Sequence, residues 1–430
     1  MTLSREQQPT PSFYGLGIAP ALLGVLEKLK FTIPTPIQVR AIPIAIEGKD
    51  MIGIAQTGTG KTIAFGIPML QRLEQVKGKG LIVLPTRELA VQVDEVLQKL
   101  GHASGIRTAV LIGGASARAQ IEMLRRNPRI IIATPGRLLD HMRSRTVSLA
   151  DVSILVLDEA DRMLDMGFEP QIRQVLQALP RERQTMLFSA TMPNEIVGLI
   201  SSHMKLPIRV EIARSGATAE HVAHELYFVK REEKPRLLEK LLYEYHGTTL
   251  VFSRTKYGAR RICRDVKEMG HTVVEMHSNR TLAQRRDALD GFKSGKYRVL
   301  VATDIAARGI DVKGIELVVN YDLPENPEDY VHRIGRTGRA GLAGRAISFA
   351  TPDQRYDVRD IERLVKFELP VKSLPELPPD RSKGRPPEYD REPRRNVRGH
   401  GGGGRPRGFG SSSKFGGNPA SYFRARRPSR

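Results

Sequence analysis

Cysteine and tryptophan are nearly missing from this chain, which holds one Cys and no Trp. The single thiol, Cys263, excludes an intramolecular disulfide, and with no Cys and His cluster at zinc spacing a finger-type metal site is excluded too. Cys263 reads as a helix-packing residue. Long apolar runs are also missing. No stretch reaches the about eighteen continuous apolar residues of a membrane span, and the N-terminal region has no basic segment leading into an apolar signal core. A soluble cytoplasmic protein without membrane attachment is therefore expected. Acidic residues are in deficit: 47 Asp and Glu face 68 Lys and Arg, a formal net charge of +21. Such a field favours polyanions, nucleic acid or an anionic membrane surface, and charge alone does not choose between them.

What is present is globular over most of the length. At roughly 150 residues per domain, 430 residues suggest two or three folded units, and 40% hydrophobic residues supply their cores. From Met51 to Phe188 short apolar runs alternate with amphipathic stretches, the pattern of an α/β domain around a parallel sheet. Leu89, Val93, Val96 and Leu100 recur at helical spacing, with Gly101 as the expected stop. The rhythm restarts with candidate strands from Thr249 to Phe349. There Ala259, Ile262, Val266 and Met269 form one helix face ended by Gly270, and Thr281 with Gln284 has capping-box spacing. The expected division is a first domain over 1–206, a linker over 207–221, a second domain over 222–376 and a tail over 377–430. In the tail Pro, Gly, Ser and Arg replace apolar periodicity, so burial cannot offset the entropy of ordering, and disorder is expected. From Pro393 to Arg430 there are ten Lys or Arg and no Asp or Glu.

The first chemistry-bearing motif is AQTGTGKT, comprising Ala55, Gln56, Thr57, Gly58, Thr59, Gly60, Lys61 and Thr62, between a strand and an apolar helix start. In that context it is a P-loop. Gly58 and Gly60 let the backbone curl its amides toward phosphate oxygens, Lys61 brings charge to the β and γ phosphates, and Thr62 offers a hydroxyl to magnesium. A nucleoside triphosphatase also needs a carboxylate for the metal and one to orient water. The run Ile154–Leu157 ends in Asp158, assigned to magnesium, and Glu159, assigned to the water. An apolar run ending in two acids is by itself only a strand meeting a solvated loop; beside a P-loop that bland account loses its force. An arginine meeting charge on the γ phosphate is expected from HRIGRTGR, where a helix would put His332, Arg336 and Arg339 on one side. These groups fall in different domains, so hydrolysis should require the domains to close.

Together these residues resemble the DEAD-box RNA helicases, in order from about Phe13 to Phe349. Asp158, Glu159, Ala160 and Asp161 spell the family name. With them stand PTRELA at 85–90, the pair Gly113 and Gly114, TPGR at 134–137, SAT at 189–191, VFSRT at 251–255, ATDIAARGID at 302–311 and HRIGRTGR at 332–339. The resemblance implies two tandem RecA-like P-loop domains with parallel central sheets, ATP and Mg2+ as cofactors, and RNA-stimulated ATP hydrolysis. FTIPTPIQ at 31–38 is similar to the family's Q motif, which implies that Gln38 reads the adenine edge, with Phe31 stacking and Phe13 as a distal aromatic. It further implies nucleotide contacts from Gly309 and Asp311. An RNA track is implied along Pro85, Thr86, Arg87, Gly113, Gly114, Thr134, Pro135, Gly136 and Arg137 in the first domain and Arg254, Thr255, Thr303 and Asp304 in the second. Asp161, Ser189 and Thr191 would couple hydrolysis to RNA binding. Such residues suit backbone and ribose contacts, which position a strand without reading its sequence.

Three positions depart from the family pattern: Lys30 and Ser278 where glycine is usual, and Leu282 where glutamine is often found. A compact core with a short basic tail is most similar to the bacterial RhlE-like branch, and ribosome assembly and RNA decay both suit such a core. The tail's Arg-Gly segments, with Phe409, Phe415, Tyr422 and Phe423 among them, read either as a loose RNA-binding arm or as an unselective polycation. Two rival functions remain, a DNA-directed translocase sharing the P-loop and a non-enzymatic RNA chaperone relying on the tail.

Overall fold

The structure is a computed structural model that describes residues 11–56, 58–102, 104–212, 222–307, 312, 314–338 and 344–379. The chain divides into two stretches, Met1–Pro379 and Asp380–Arg430. The second lies outside the described residues, and with it nearly all of the expected tail.

The first lobe carries strands β1 (Met51–Ile54), β2 (Lys79–Val83), β3 (Thr108–Leu111), β4 (Ile130–Ala133), β5 (Val152–Asp158), β6 (Gln184–Ser189) and β7 (Ile208–Glu211). They form one parallel sheet in the order β3-β4-β2-β5-β6-β1-β7. Its helices are α1 (Pro20–Lys28), α2 (Pro36–Ile46), α3 (Lys61–Gln75), α4 (Arg87–Gly101), α5 (Ala117–Arg125), α6 (Pro135–Arg143), α7 (Ala160–Asp165), α8 (Glu169–Ala178) and α9 (Asn194–Ser201). Alternate strand residues feed two cores, as a sheet covered on both faces requires. In β5, Ile154 and Val156 join the cluster of Phe65, Ile67 and Leu97, while Leu155 and Leu157 join that of Leu139, Ile172 and Leu176.

The second lobe repeats the plan with β8 (Val222–Phe228), β9 (Thr249–Phe252), β10 (Val273–Met276), β11 (Val299–Ala302), β12 (Leu317–Asn320) and β13 (Gly344–Ala350), parallel in the order β10-β11-β9-β12-β13-β8. Its helices are α10 (Lys234–Glu244), α11 (Lys256–Glu268), α12 (Leu282–Lys293), α13 (Asp304–Ala307), α14 (Pro327–Ile334) and α15 (Arg355–Val365). The α11 face forms as expected, with Ala259, Ile262 and Val266 buried, Cys263 half-buried against the same core and Gly270 in the left-handed region at φ +91°. Thr281 and Gln284 make the expected capping box.

Three expectations need correction. Ile208–Glu211, assigned to the linker, is the edge strand pairing with β1, and 213–221 lie outside the described residues. Gly101 is the last residue of α4 instead of its stop, and His102 caps it. Leu377 to Pro379, assigned to the tail, are still described: Leu377 packs on the α10–α11 core, and Arg236 donates to the carbonyls of Leu377 and Pro378 at 3.2 and 2.5 Å. Among the described residues no helix is long and apolar enough to cross a membrane.

Candidate functional site

In a parallel sheet every loop after a strand emerges on the same edge, which is where open α/β sheets bind ligands. The motifs follow that rule. Residues 55–60 leave β1, Glu159 follows β5, Ser189 ends β6, Pro85 to Arg87 follow β2, and Thr134 to Arg137 follow β4. Gly58 and Gly60 stand at φ +85° and +90°, a conformation that side chains with Cβ rarely adopt. A Cβ on Gly60 would also meet Gln38 Nε2 at 2.3 Å. Gln38 is buried, donating from Nε2 to the Gly60 carbonyl (3.0 Å) and accepting at Oε1 from the Thr35 N–H (2.9 Å). It therefore braces the P-loop from α2, and the amide's second proton and lone pair remain for a ligand. Phe31 is 38% exposed, and Phe13, the distal aromatic, is buried in the core with residues of α1 and α2. Thr59 donates to the Gln56 carbonyl at 2.8 Å, Ala55 donates to Ser189 O, and Thr62 is half-buried in the first turn of α3.

Lys61 is 6% exposed, and among the described residues its ammonium has no hydrogen-bond partner; Asp158 Oδ1 lies at 3.7 Å. A buried cation so placed is costly unless an anion joins it, which fits a phosphate. Burial pushes the Asp158 carboxyl up against the pull of Lys61. Burial also pushes on Glu159, but Arg162, Lys61 and Arg336 of the second lobe outweigh it and hold that carboxyl below the usual range. Glu159 sits in the left-handed region and pairs with the buried Arg162. The partner Arg162 was not anticipated, although its spacing of three from Glu159 was there to be read. Asp161 reaches β6: its Oδ2 accepts from the N–H groups of Ala190 (3.0 Å) and Thr191 (2.8 Å) and from Thr191 Oγ1 (3.1 Å), while its own N–H donates to Ser189 Oγ.

The expected helix does not continue from His332 to Arg336. α14 ends at Ile334 with Gly335 as its cap, and Thr337 then donates to the Ile315 carbonyl, because the two glycines weaken any continuation. His332 and Arg336 still line one narrow pocket with Phe252, Asp304, Ala307, Asp329 and Arg333. Thr57, Gly309, Asp311 and Arg339 lie outside the described residues.

Along the remaining edge of the first lobe, Arg87 lies against Gly113 and Gly114. A Cβ on Gly114, at φ +76°, would meet Arg87 Nη1 at 2.3 Å. Pro85 is buried, Thr86 caps α4 through the Leu89 N–H, and Arg137 at the start of α6 donates to the Ala115 carbonyl at 3.4 Å. Thr134 is buried as the N-cap of α6, Pro135 follows it, and Gly136 faces open space. In the second lobe, Thr255 caps α11 through the Gly258 N–H, and the Arg254 N–H donates to Asp322. The Thr303 N–H donates to Met276 O. Asp304 is gripped by the Nε and Nη2 of the buried Arg333 at 2.5 and 2.7 Å. Arg333 was not anticipated; nothing in its spacing marks it apart from its neighbours in a basic motif. Also unanticipated are the contacts joining the lobes: Arg285 on α12 to Glu88 on α4 at 2.7 Å, both buried, and Arg286 to Glu95 at 2.9 Å.

Comparison with known proteins agrees with this geometry. Residues 35–198 match the DEAD/DEAH box helicase family and residues 233–341 the helicase conserved C-terminal domain. The chain is 42% identical over 377 residues to the ATP-dependent rRNA helicase RRP3 of Meyerozyma guilliermondii, covering 86% of this chain and 79% of that one. It is 44% identical over 359 residues to the ATP-dependent RNA helicase CshA of Listeria monocytogenes, covering 82% and 69%. Among solved structures it is similar to S. cerevisiae Dbp5 bound to RNA and ADP BeF3, with a TM-score of 0.74 at 33% identity, covering 84% of this chain and 95% of that one. The chain belongs to the DEAD-box ATP-dependent RNA helicases, enzymes that bind ATP and RNA and hydrolyse ATP in an RNA-dependent manner.

Proposed function

We propose that ATP and single-stranded RNA together close the cleft between the lobes, that the closed form holds RNA in a shape a short duplex cannot keep, and that hydrolysis reopens it. The observation that carries this reading is the buried Lys61 ammonium, which has Asp158 at 3.7 Å but no hydrogen bond among the described residues, beside a Glu159 carboxyl that Arg336 of the other lobe helps to hold low. Gly58, Thr59, Gly60 and Lys61, with Ala55, Gln56 and Thr57, hold the phosphates. Gln38 reads the adenine edge, Phe31 stacks on the base and Phe13 is the distal aromatic. Thr62 and Asp158 would hold a magnesium ion, which supplies charge neutralisation between the phosphates. Glu159 orients the attacking water, and its depressed carboxyl keeps it an acceptor. His332, Arg336 and Arg339, with Gly309 and Asp311, meet the nucleotide from the second lobe. Asp161, Ser189 and Thr191 pass the state of the acidic motif to the RNA side.

The track takes the strand by its backbone. Pro85, Thr86, Arg87, Gly113, Gly114, Thr134, Pro135, Gly136 and Arg137 form one half, and Arg254, Thr255, Thr303 and Asp304 the other. Sequence-tolerant binding follows, with ribose contacts favouring RNA over DNA. The basic tail beyond 380 adds a loose second hold on RNA. A bacterial RhlE-like placement, a cytoplasmic location and work on ribosome-assembly or RNA-decay complexes complete the proposal. The RRP3 relative, named as an rRNA helicase, supports the ribosomal part.

Steady-state ATP hydrolysis with and without single-stranded RNA tests the reading. Strong RNA stimulation is expected, and Glu159→Gln should lower the stimulated rate by at least about a hundredfold. Unstimulated hydrolysis, or a Glu159→Gln protein as fast as wild type, overturns it.

A further inference from the structure

Next to the proposed track, the first turn of α11 presents a feature the backbone-holding scheme does not use. Tyr257 is 61% exposed. Lys256 Nζ lies over that ring at 5.2 Å from its centroid and donates to Asn279 Oδ1 at 3.2 Å. One ring face is thus held by a cation fixed from the neighbouring loop, and the residue's exposure leaves the ring reachable from solvent. Thr255, two positions earlier, belongs to the proposed track. Close to Tyr257 in sequence the chain carries Arg254, Lys256, Arg260 and Arg261, while Arg264 lies 3.9 Å from Asp265. The surroundings therefore suit a polyanion, and an aromatic among cations is the arrangement that binds single strands by stacking.

We infer that Tyr257, positioned by Lys256 and Asn279, is a stacking platform for one unpaired base of the bound RNA, extending the second-lobe track beyond Thr255. This rests on the RNA reading above and adds a base contact to a backbone grip. Every base offers a π face, so the contact strengthens binding without selecting a sequence. Lys256 would at the same time meet the adjoining phosphate.

The test measures binding of a labelled single-stranded RNA, short enough to bind in one register, to the full chain with a non-hydrolysable ATP analogue. The RNA is either intact or carries one abasic position stepped along its length. Tyr257→Ala should weaken binding of the intact RNA by about fivefold or more, and Tyr257→Phe should keep it. For wild type, one abasic register should cost a similar factor, and at that register Tyr257→Ala should cost nothing further. Equal affinity of wild type and Tyr257→Ala for intact RNA overturns the inference. So does a loss on Tyr257→Ala that persists undiminished at every abasic register, since that is a charge or shape effect without stacking. Wild-type protein that fails to bind any RNA overturns the RNA reading itself, which the other results leave standing.

Discussion

At the scale of single residues, the P-loop depends on a close approach that only glycine permits. Gly60 combines φ +90° with a Gln38 amide that would lie 2.3 Å from a Cβ. Gly60→Ala should therefore destabilise the fold by about 1–2 kcal/mol for the left-handed backbone alone and displace Gln38 as well. Denaturant unfolding and ATP titration should show both effects. Gln38→Ala in the same chain should recover part of the stability but none of the ATP affinity, because it removes the clash and also the bond to the Gly60 carbonyl. Full recovery of ATP binding by the double variant would mean that Gln38 is only a spacer.

At the scale of elements, α14 is placed by one buried arginine. Arg333 is 1% exposed; it grips Asp304, donates to Asn320 Oδ1 and the Asp322 carbonyl, and lies 5.0 Å from the Phe252 ring centroid. Removing one partner of a buried pair costs about 3–5 kcal/mol because the other charge stays behind. Arg333→Met should thus lower stability by roughly that amount, and thermal unfolding of the variant measures it. It should also depress RNA-stimulated ATPase through misplacement of His332 and Arg336, which line the same pocket. A stable, fully active variant would show that α14 is held by Tyr330 and Ile334 packing alone.

At the scale of the whole folded core, α4 and α12 bring the lobes into contact. The exposed Arg286–Glu95 pair is worth about 0–1 kcal/mol and decides little. The buried Arg285–Glu88 pair and the Leu282 side chain, which packs onto the first lobe's core, decide more. Leu282, a departure from the family pattern, gives this contact an apolar part. Arg285→Glu should reduce RNA-stimulated ATPase about tenfold or more, since burying two like charges opposes closure. Glu88→Arg should act alike, and combining the two should restore activity above either single variant. A combined variant as impaired as the singles would place the defect in folding or in the nearby Arg87, not in closure.

Much of this molecule was legible without coordinates. Strand runs such as Ile154–Leu157 and the helix face of Ala259, Ile262 and Val266 repeat with the local geometry of strand and helix, so sequence spacing carries them. The P-loop and the acidic pair were equally plain, because their chemistry needs particular residues in adjacent positions. β7 was not legible: four residues beside a linker acquire strand character only from pairing with β1. The end of α14 at Gly335, the grip of Arg333 on Asp304 and the meeting of Arg285 with Glu88 also came from the tertiary structure. The two α/β lobes and the nucleotide-binding motifs follow from the order of residues alone, since both rest on local periodicity and contiguous motifs. Which arginines are buried and which carboxylates they meet emerge only on folding, because those outcomes depend on contacts between residues far apart in the chain.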